Sequence, residues 1–411
     1  MRITFSEISR LFPIVKRRVG TKIIALVERL FSSDKQYKDI FGRRRERKVL
    51  LCGIPEAFEK KTLPKYHSNF TETYSVAMAF DRLGYSVDCV SRTKRGIDYA
   101  AYDVVFGING NAFMGAFSTD EKIKPLKIFY SVGAETCFNY RVTTMRNRDF
   151  YTRHGRWLLG SNRYIPGDPR NYYEANLSDA VITLGDDFVN RQFLKENNCS
   201  GKFKSLPAFY FPVCSPDEKK NFVKSKKHLL WFGSSGMIHK GLDIAIDFAV
   251  ENPDVTLHIC GGSRQETAFW NYYNPIIKNH ANIVMHGFVE IESPEFKSIL
   301  ELCGVLLNPS ISESGAVSVL NVLGNAVMLP VYSRGTGLNL ETVGVEVEEV
   351  TYDAFNKALQ KVLEMSDKEL EEKAWAAHKL VKEKYTLEKY QENMYLIIKE
   401  IIEKRDTYEK I

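Results

Sequence analysis

From residue 49 onward, short apolar runs alternate with amphipathic segments. Segments 49–54, 86–90, 102–106, 127–131 and 180–184 read as strands, and 72–83 reads as a helix stopping at Gly84. The segment 138–178, rich in Arg, Tyr and Asn, reads as irregular or short-helical. The order restarts after a polar linker at 212–227, with strands expected at 229–232, 255–259, 282–286, 305–307 and 327–331. Helices are expected at 241–251, 294–302 and 316–323, and again from 351 to the C-terminus. Near-continuous apolar strands separated by helices are the pattern of parallel, doubly wound sheets. The fold class expected is therefore α/β, with two Rossmann-like parallel-sheet domains facing a cleft. The expected divisions are 1–48, 49–215, 216–385 and 386–411.

Residues 1–48 break this pattern. Apolar positions from Ile8 to Phe31 are interleaved with Arg10, Lys16, Arg17, Arg18, Lys22 and Arg29, as in basic amphipathic helices. This stretch holds 14 Lys/Arg against five Asp/Glu, a net of +9. Because the whole chain carries +6, the remaining residues carry −3. The basic excess thus belongs to the extension alone. Two readings of it stay open: attachment to an anionic membrane surface, or packing on the body with the charges solvated. Nucleic acid is not an expected partner, since apolar helical periodicity replaces flexible basic repeats.

Composition excludes several classes. The length of 411 residues exceeds one compact core. Seven cysteines without a Cys-x-x-Cys read as reduced core thiols in a cytoplasmic protein, with neither a disulfide framework nor a zinc site. No apolar run approaches the roughly 18–20 residues of a membrane span.

The chemistry gathers in loops after the strands of the second half. Gly236-Met-Ile-His-Lys-Gly241 has Walker-loop glycine spacing, but Leu242 and Asp243 stand where Lys and Ser/Thr are required. No Gly-x-Gly-x-x-Gly follows the first strand of either half, which argues against a dinucleotide oxidoreductase. Lys240 remains, a cation at a helix start suited to a diphosphate. In Asn308-Pro-Ser-Ile-Ser-Glu-Ser-Gly315, Glu313 sits at the mouth of a strand-loop-helix unit. The amides of Ser314, Gly315 and Ala316 are free donors there, because first-turn N–H groups lack intrahelical partners.

Five spaced motifs carry a resemblance: Trp231-Phe-Gly with His239-Lys-Gly-Leu-Asp243; Leu257-His-Ile-Cys-Gly-Gly262; His286-Gly-Phe288; Asn308 to Gly315; and Gly324-Asn-Ala-Val-Met-Leu-Pro330. In this order they resemble the nucleotide-sugar domain of family 4 glycosyltransferases. The resemblance implies the two-domain GT-B fold and sugar transfer with retention at the anomeric carbon. It implies no cofactor and no bound metal, the nucleotide sugar being a co-substrate. It further implies that Glu313 contacts donor-sugar hydroxyls and that Lys240 meets the diphosphate. Gly233, Ser234, Ser235, Gly262, Arg264, Phe288, Ser314 and Gly315 would line the donor site. The C-terminal helix would cross back to the first domain.

The chain also departs from the family. Asn321 stands where a second Glu would hold ribose hydroxyls, and Ser234 and Ser235 replace an Arg. The acceptor-side His has no clear counterpart, leaving Gly53, His67 and Glu135 as candidates on that side. The reading reached is a cytoplasmic transferase, peripheral on the inner membrane face, acting on a glycan or lipid-linked acceptor in bacterial surface polysaccharide assembly. The alternative is a degenerate member that binds a nucleotide sugar, or a partner transferase, without turnover.

If the extension carries the membrane attachment, removing residues 1–45 abolishes sedimentation with anionic vesicles at low salt. Full-length protein that stays in the supernatant under the same conditions overturns this reading.

Overall fold

In the computed structural model, the described residues are 35–59, 66–118, 125–158, 170–197, 202–216 and 220–408. The amphipathic segment from Ile8 to Phe31 lies outside them, as does Cys199. Helices of two turns or more are numbered below.

The chain folds around two sheets. The first has the order β1-β3-β2-β4-β5-β6-β7. Its strands are β1 (Gln36–Tyr37), β2 (Lys48–Gly53), β3 (Ser86–Ser91), β4 (Val104–Gly107), β5 (Leu126–Ser131), β6 (Ala180–Leu184) and β7 (Phe203–Leu206). β2 is parallel to β3 and β4, and β5, β6 and β7 run parallel, while β1 is an antiparallel edge on β3. The second sheet has the order β10-β9-β8-β11-β12-β13. Its strands are β8 (His228–Gly233), β9 (Thr256–Gly261), β10 (Ile283–Gly287), β11 (Val305–Asn308), β12 (Leu329–Ser333) and β13 (Val345–Val347), all parallel.

The helices are α1 (Ser68–Arg82), α2 (Thr136–His154), α3 (Arg170–Leu177), α4 (Asp187–Asn197), α5 (Leu242–Glu251), α6 (Thr267–Lys278), α7 (Pro294–Leu302), α8 (Val317–Asn325), α9 (Tyr352–Glu364), α10 (Asp367–Lys384) and α11 (Leu387–Tyr408). Among the described residues, 35–59, 69–118 and 125–127 form one compact unit by packing, and 66–68, 128–158, 170–197, 202–216 and 220–408 form another. The sequence boundary at 215/216 falls inside the second unit. There α11 meets the first sheet: Tyr390 Oη lies 3.0 Å from Tyr130 Oη, and Lys204 Nζ donates to Glu400 Oε1 at 2.7 Å.

Several expectations need correcting. The segment expected to be irregular or short-helical contains the short α3 as well as α2, a 19-residue helix. Its sequence is only weakly amphipathic because many of its polar residues are buried, Arg146, Asn147 and Thr143 among them. Strands β7 and β13 and helices α4 and α6 went unread as well. Cys137 is exposed, whereas Cys52, Cys89, Cys260 and Cys303 are core thiols. The end of the basic extension is part of the body. Gln36 and Tyr37 pair with β3, Arg43 and Arg45 pair with Asp81, and Arg47 lies over the Tyr85 ring. A truncation that spares these contacts therefore begins at residue 35. No helix among the described residues is long and apolar enough to cross a membrane.

One polar feature runs across the second sheet. His228, His258 and His286, on adjacent strands β8, β9 and β10, form a ladder with Nδ1···Nε2 contacts of 3.0 and 3.1 Å. Neutral rings satisfy both contacts, each central nitrogen either donating or accepting once. Burial, reinforced by the two neighbouring rings, lowers the His258 pKa from its usual 6.5 to about 4. Between those values the unfolded chain binds more protons than the folded one, so stability rises with pH across the window and falls on acidification. Denaturant unfolding should show a loss of about 1–2 kcal/mol from pH 7 to 4.5, discounted for partial solvent screening. That pH-dependent part should largely vanish in His258→Gln.

Candidate functional site

The strand order of the second sheet reverses between β8 and β11. In an open parallel sheet, loops leaving adjacent strands at such a switch point run in opposite directions and leave a crevice beyond the carboxyl ends. The loop after β8 carries Lys240 and the loop after β11 carries Glu313. Lys240 Nζ and Glu313 Oε1 form an ion pair whose side chains are 10% and 15% exposed. Ser310 Oγ donates to the same carboxylate oxygen at 2.9 Å. The two candidate catalytic residues are therefore brought together.

Backbone geometry fixes both partners. Gly241, just before α5, has φ +64°, and a Cβ there would lie 2.5 Å from Pro309 Cγ. Only glycine lets the two loops approach this closely. The Trp231 indole N–H donates to Lys240 O at 2.9 Å, and a Cβ on Gly233 would meet the Trp231 ring at 2.7 Å. Ile311 N donates to His239 O at 3.1 Å, and His239 Nε2 lies 2.8 Å from Ser312 O. Glu313 N donates to Gly335 O at 2.7 Å.

The mouth of α8 is the second component. Gly315 has φ +71° and Ala316 has φ +30°. Such a conformation costs a non-glycine residue about 1 kcal/mol and persists only where its surroundings enforce it. The turn leaves the N–H groups of Ser314, Gly315 and Ala316 without an acceptor among the described residues. Ser314 Oγ is buried and likewise unpartnered. Unpaired buried donors are costly, and a cluster of them beside a lysine makes an anion or hydroxyl cradle.

The other sequence-derived candidates scatter. Gly262 N donates to Gly233 O at 3.0 Å, holding the β8 and β9 loops together. Ser234, Ser235 and Arg264 are exposed, and Phe288 is 85% exposed. Asn321 turns elsewhere: its Oδ1 accepts from Phe211 N at 2.8 Å, pinning the segment before the linker to α8. Glu135 is the N-cap of α2, accepting from Phe138 N at 2.7 Å. Burial raises its pKa. Gly53 ends β2 in the first compact unit, and His67 is exposed in the short segment 65–68 of the second.

Glu266 was not legible in the sequence. Its carboxylate accepts from Gly236 N and, at 2.8 Å, from Met237 N, so it occupies two amides of the loop that leads to Lys240. No motif marks it; a lone carboxylate 30 residues downstream carries no spacing signal. Glu266→Ala should cost about 2–3 kcal/mol in denaturant unfolding, because two buried amides lose a charged acceptor. Glu266→Gln, which keeps one acceptor oxygen, should recover part of that loss.

No protein-family model matches the chain. No curated protein matches it by sequence. Solved structures do resemble it. The sucrose-phosphate synthase of Thermosynechococcus elongatus matches at a TM-score of 0.59 and 10% identity, covering 87% of this chain and 99% of that one. HepE of Anabaena, in complex with UDP and glucose, matches at 0.57 and 11%, covering 86% and 100%. A glycosyltransferase of Rickettsia africae matches at 0.55 and 12%, covering 87% and 99%. The chain spans 58% of the length of TarM, at a TM-score of 0.48. What these likenesses establish is the fold: two parallel-sheet α/β domains of the GT-B type.

Proposed function

We propose that the protein is a glycosyltransferase that moves a sugar from a nucleotide-sugar donor to a glycan or lipid-linked acceptor. The observation that carries this reading is the meeting of Lys240, Glu313 and the unpartnered donors of Ser314, Gly315 and Ala316 at the switch point of the second sheet. The complex of HepE with UDP and glucose, a protein of the same fold, supports the donor class.

In this mechanism the diphosphate lies against Lys240 and the amides at the mouth of α8. As the glycosidic bond to phosphate breaks, negative charge grows on the leaving diphosphate. A preorganised cation and fixed N–H dipoles stabilise that charge without reorganising. Before the donor binds, Glu313 holds Lys240 in place. On binding, the diphosphate shares Lys240, and Glu313, still held by Ser310, accepts from donor-sugar hydroxyls. We take the transfer to retain anomeric configuration and to need no metal. We place the reaction in surface polysaccharide assembly, with residues 1–34 meeting the membrane. Retention and independence of metal follow from the resemblance to family 4; the polysaccharide setting rests on that family and on the basic charge of the extension, not on any motif.

A second reading rests on Asn321. Its carbonyl oxygen is committed to Phe211 N, so that atom supports the fold instead of a ribose. A protein that binds nucleotide sugars without turnover, serving a partner transferase, is compatible with that use.

Thermal-shift titration should show stabilisation by a nucleoside diphosphate, since a ligand of the native state raises its apparent stability. Lys240→Ala should weaken this binding about tenfold or more. Glu313→Gln should leave it within a few-fold yet lower donor hydrolysis about a hundredfold. Turnover unchanged in Glu313→Gln removes the role given to that carboxylate, and binding without any turnover favours the second reading.

A further inference from the structure

A cavity of about 610 Å³ lies along one side of α2, outside the Lys240–Glu313 pair. This size is within the range of ordinary small-ligand sites. Its apolar wall includes Phe138, Phe188 and Ile311. Ile311 and Gly335 place it next to the reacting loop, because Gly335 O accepts from Glu313 N at 2.7 Å. The charged lining is balanced: Arg146, Arg148 and Arg334 face Asp149, Glu348 and Glu349.

Several of these charged groups are unused. Arg148, Glu348 and Glu349 make no ion pair or side-chain hydrogen bond among the described residues, although other charges nearby are paired, such as Arg334 with Glu346 at 2.7 Å. Arg146 is 1% exposed, and its Nε finds no acceptor. A buried guanidinium N–H without a partner is costly, and Arg146 is one of the residues that line this cavity.

The lining discriminates between ligand classes. An alkyl chain would strip water from four or more charged groups and give nothing back. Among the described residues, a diphosphate would meet one guanidinium free of a carboxylate, Arg148, against two unpaired carboxylates, Glu348 and Glu349, since Arg146 and Arg334 are already paired. A neutral polyol satisfies both signs at once, since each hydroxyl donates to a carboxylate and accepts from a guanidinium. The C–H faces of a sugar ring fit against Phe138 and Phe188 in the same space. We propose that this cavity binds a neutral carbohydrate, the non-reacting part of the acceptor. The word acceptor rests on the transferase reading above; the binding of a neutral sugar does not.

The test is saturation-transfer NMR on the full chain, without donor, against neutral di- to tetrasaccharides of glucose, galactose, mannose and N-acetylglucosamine. Uronate-containing oligosaccharides and UDP are titrated separately. At least one neutral series should give saturable transfer. Its affinity should fall about tenfold in Glu348→Gln/Glu349→Gln, as expected for lost charged hydrogen bonds, while UDP affinity stays unchanged. Should the double variant unfold, Arg148→Gln, on an exposed side chain, should show a loss of the same sign. Transfer from none of the neutral series, transfer only to anionic sugars, or affinity unmoved by these substitutions overturns the proposal. Neutral-sugar binding together with a failure to bind UDP leaves the cavity assigned and removes the transferase reading instead.

Discussion

A fully buried carboxylate organises the second compact unit. Asp243, in the first turn of α5, has no solvent contact, and its Oδ2 accepts from Arg146 and from Arg153 Nη2, the latter at 2.6 Å. Both arginines belong to α2. A carboxylate taken out of water loses its hydration and survives only if paired and hydrogen-bonded. Asp247, one turn along α5, extends the network to Arg153, to His154 Nε2 at 2.9 Å and to Tyr273 Oη at 3.1 Å. Helix α2 follows a strand of the first sheet and α5 follows a strand of the second. The network therefore ties together elements that the chain separates by about a hundred residues.

That tie bears on the chemistry through geometry. Asp243 lies three residues beyond Lys240, so the helix that orients the lysine is anchored from its buried side. On the same helix α2, Asn139 Nδ2 donates to Ser312 Oγ at 2.9 Å, next to Glu313. The α2 helix thus braces the loops of both candidate residues, one through an ion network and one through a neutral hydrogen bond. Gly241, at φ +64°, lets these loops approach each other, since a Cβ there would lie 2.5 Å from Pro309 Cγ. Gly315, at φ +71°, instead allows close packing on Ala208 and Leu184. The N–H groups of Ser314, Gly315 and Ala316 lie ahead of α8 and have no acceptor among the described residues.

The two proposals place donor chemistry and sugar selection at separate points of this frame. The Lys240–Glu313 pair and the α8 amides suit charge that grows during bond cleavage. The cavity beside α2 suits a neutral, hydroxyl-rich body, because its charges are balanced and several lack partners. The same loop pair, 311–313 with 334–335, borders both. Asn321, conspicuous in the sequence, ties α8 to the segment ahead of the linker through its side-chain oxygen.

How much the sequence alone determined follows from the range of each interaction. Parallel strands buried on both faces write themselves as continuous apolar runs, so the strands 49–54, 180–184 and 305–307 were legible, and with them the two-sheet class. Lys240 and Glu313 were legible because each sits in a strand-loop-helix turn whose residues are contiguous. Helix α2 was hidden because its buried side is polar, and polarity satisfied by distant partners looks like solvent exposure in one dimension. Glu266 was hidden for the same reason, its amide partners lying 29 and 30 residues away. Asn321 and Glu135 were legible as polar residues but not in the backbone N–H groups they accept from, since those partners are fixed by what stands beside each side chain. Local pattern decided which elements form and where their loops carry charge. Only tertiary contact decided which of those charges meet, because pairing across a hundred residues is fixed by packing and leaves no period in the sequence.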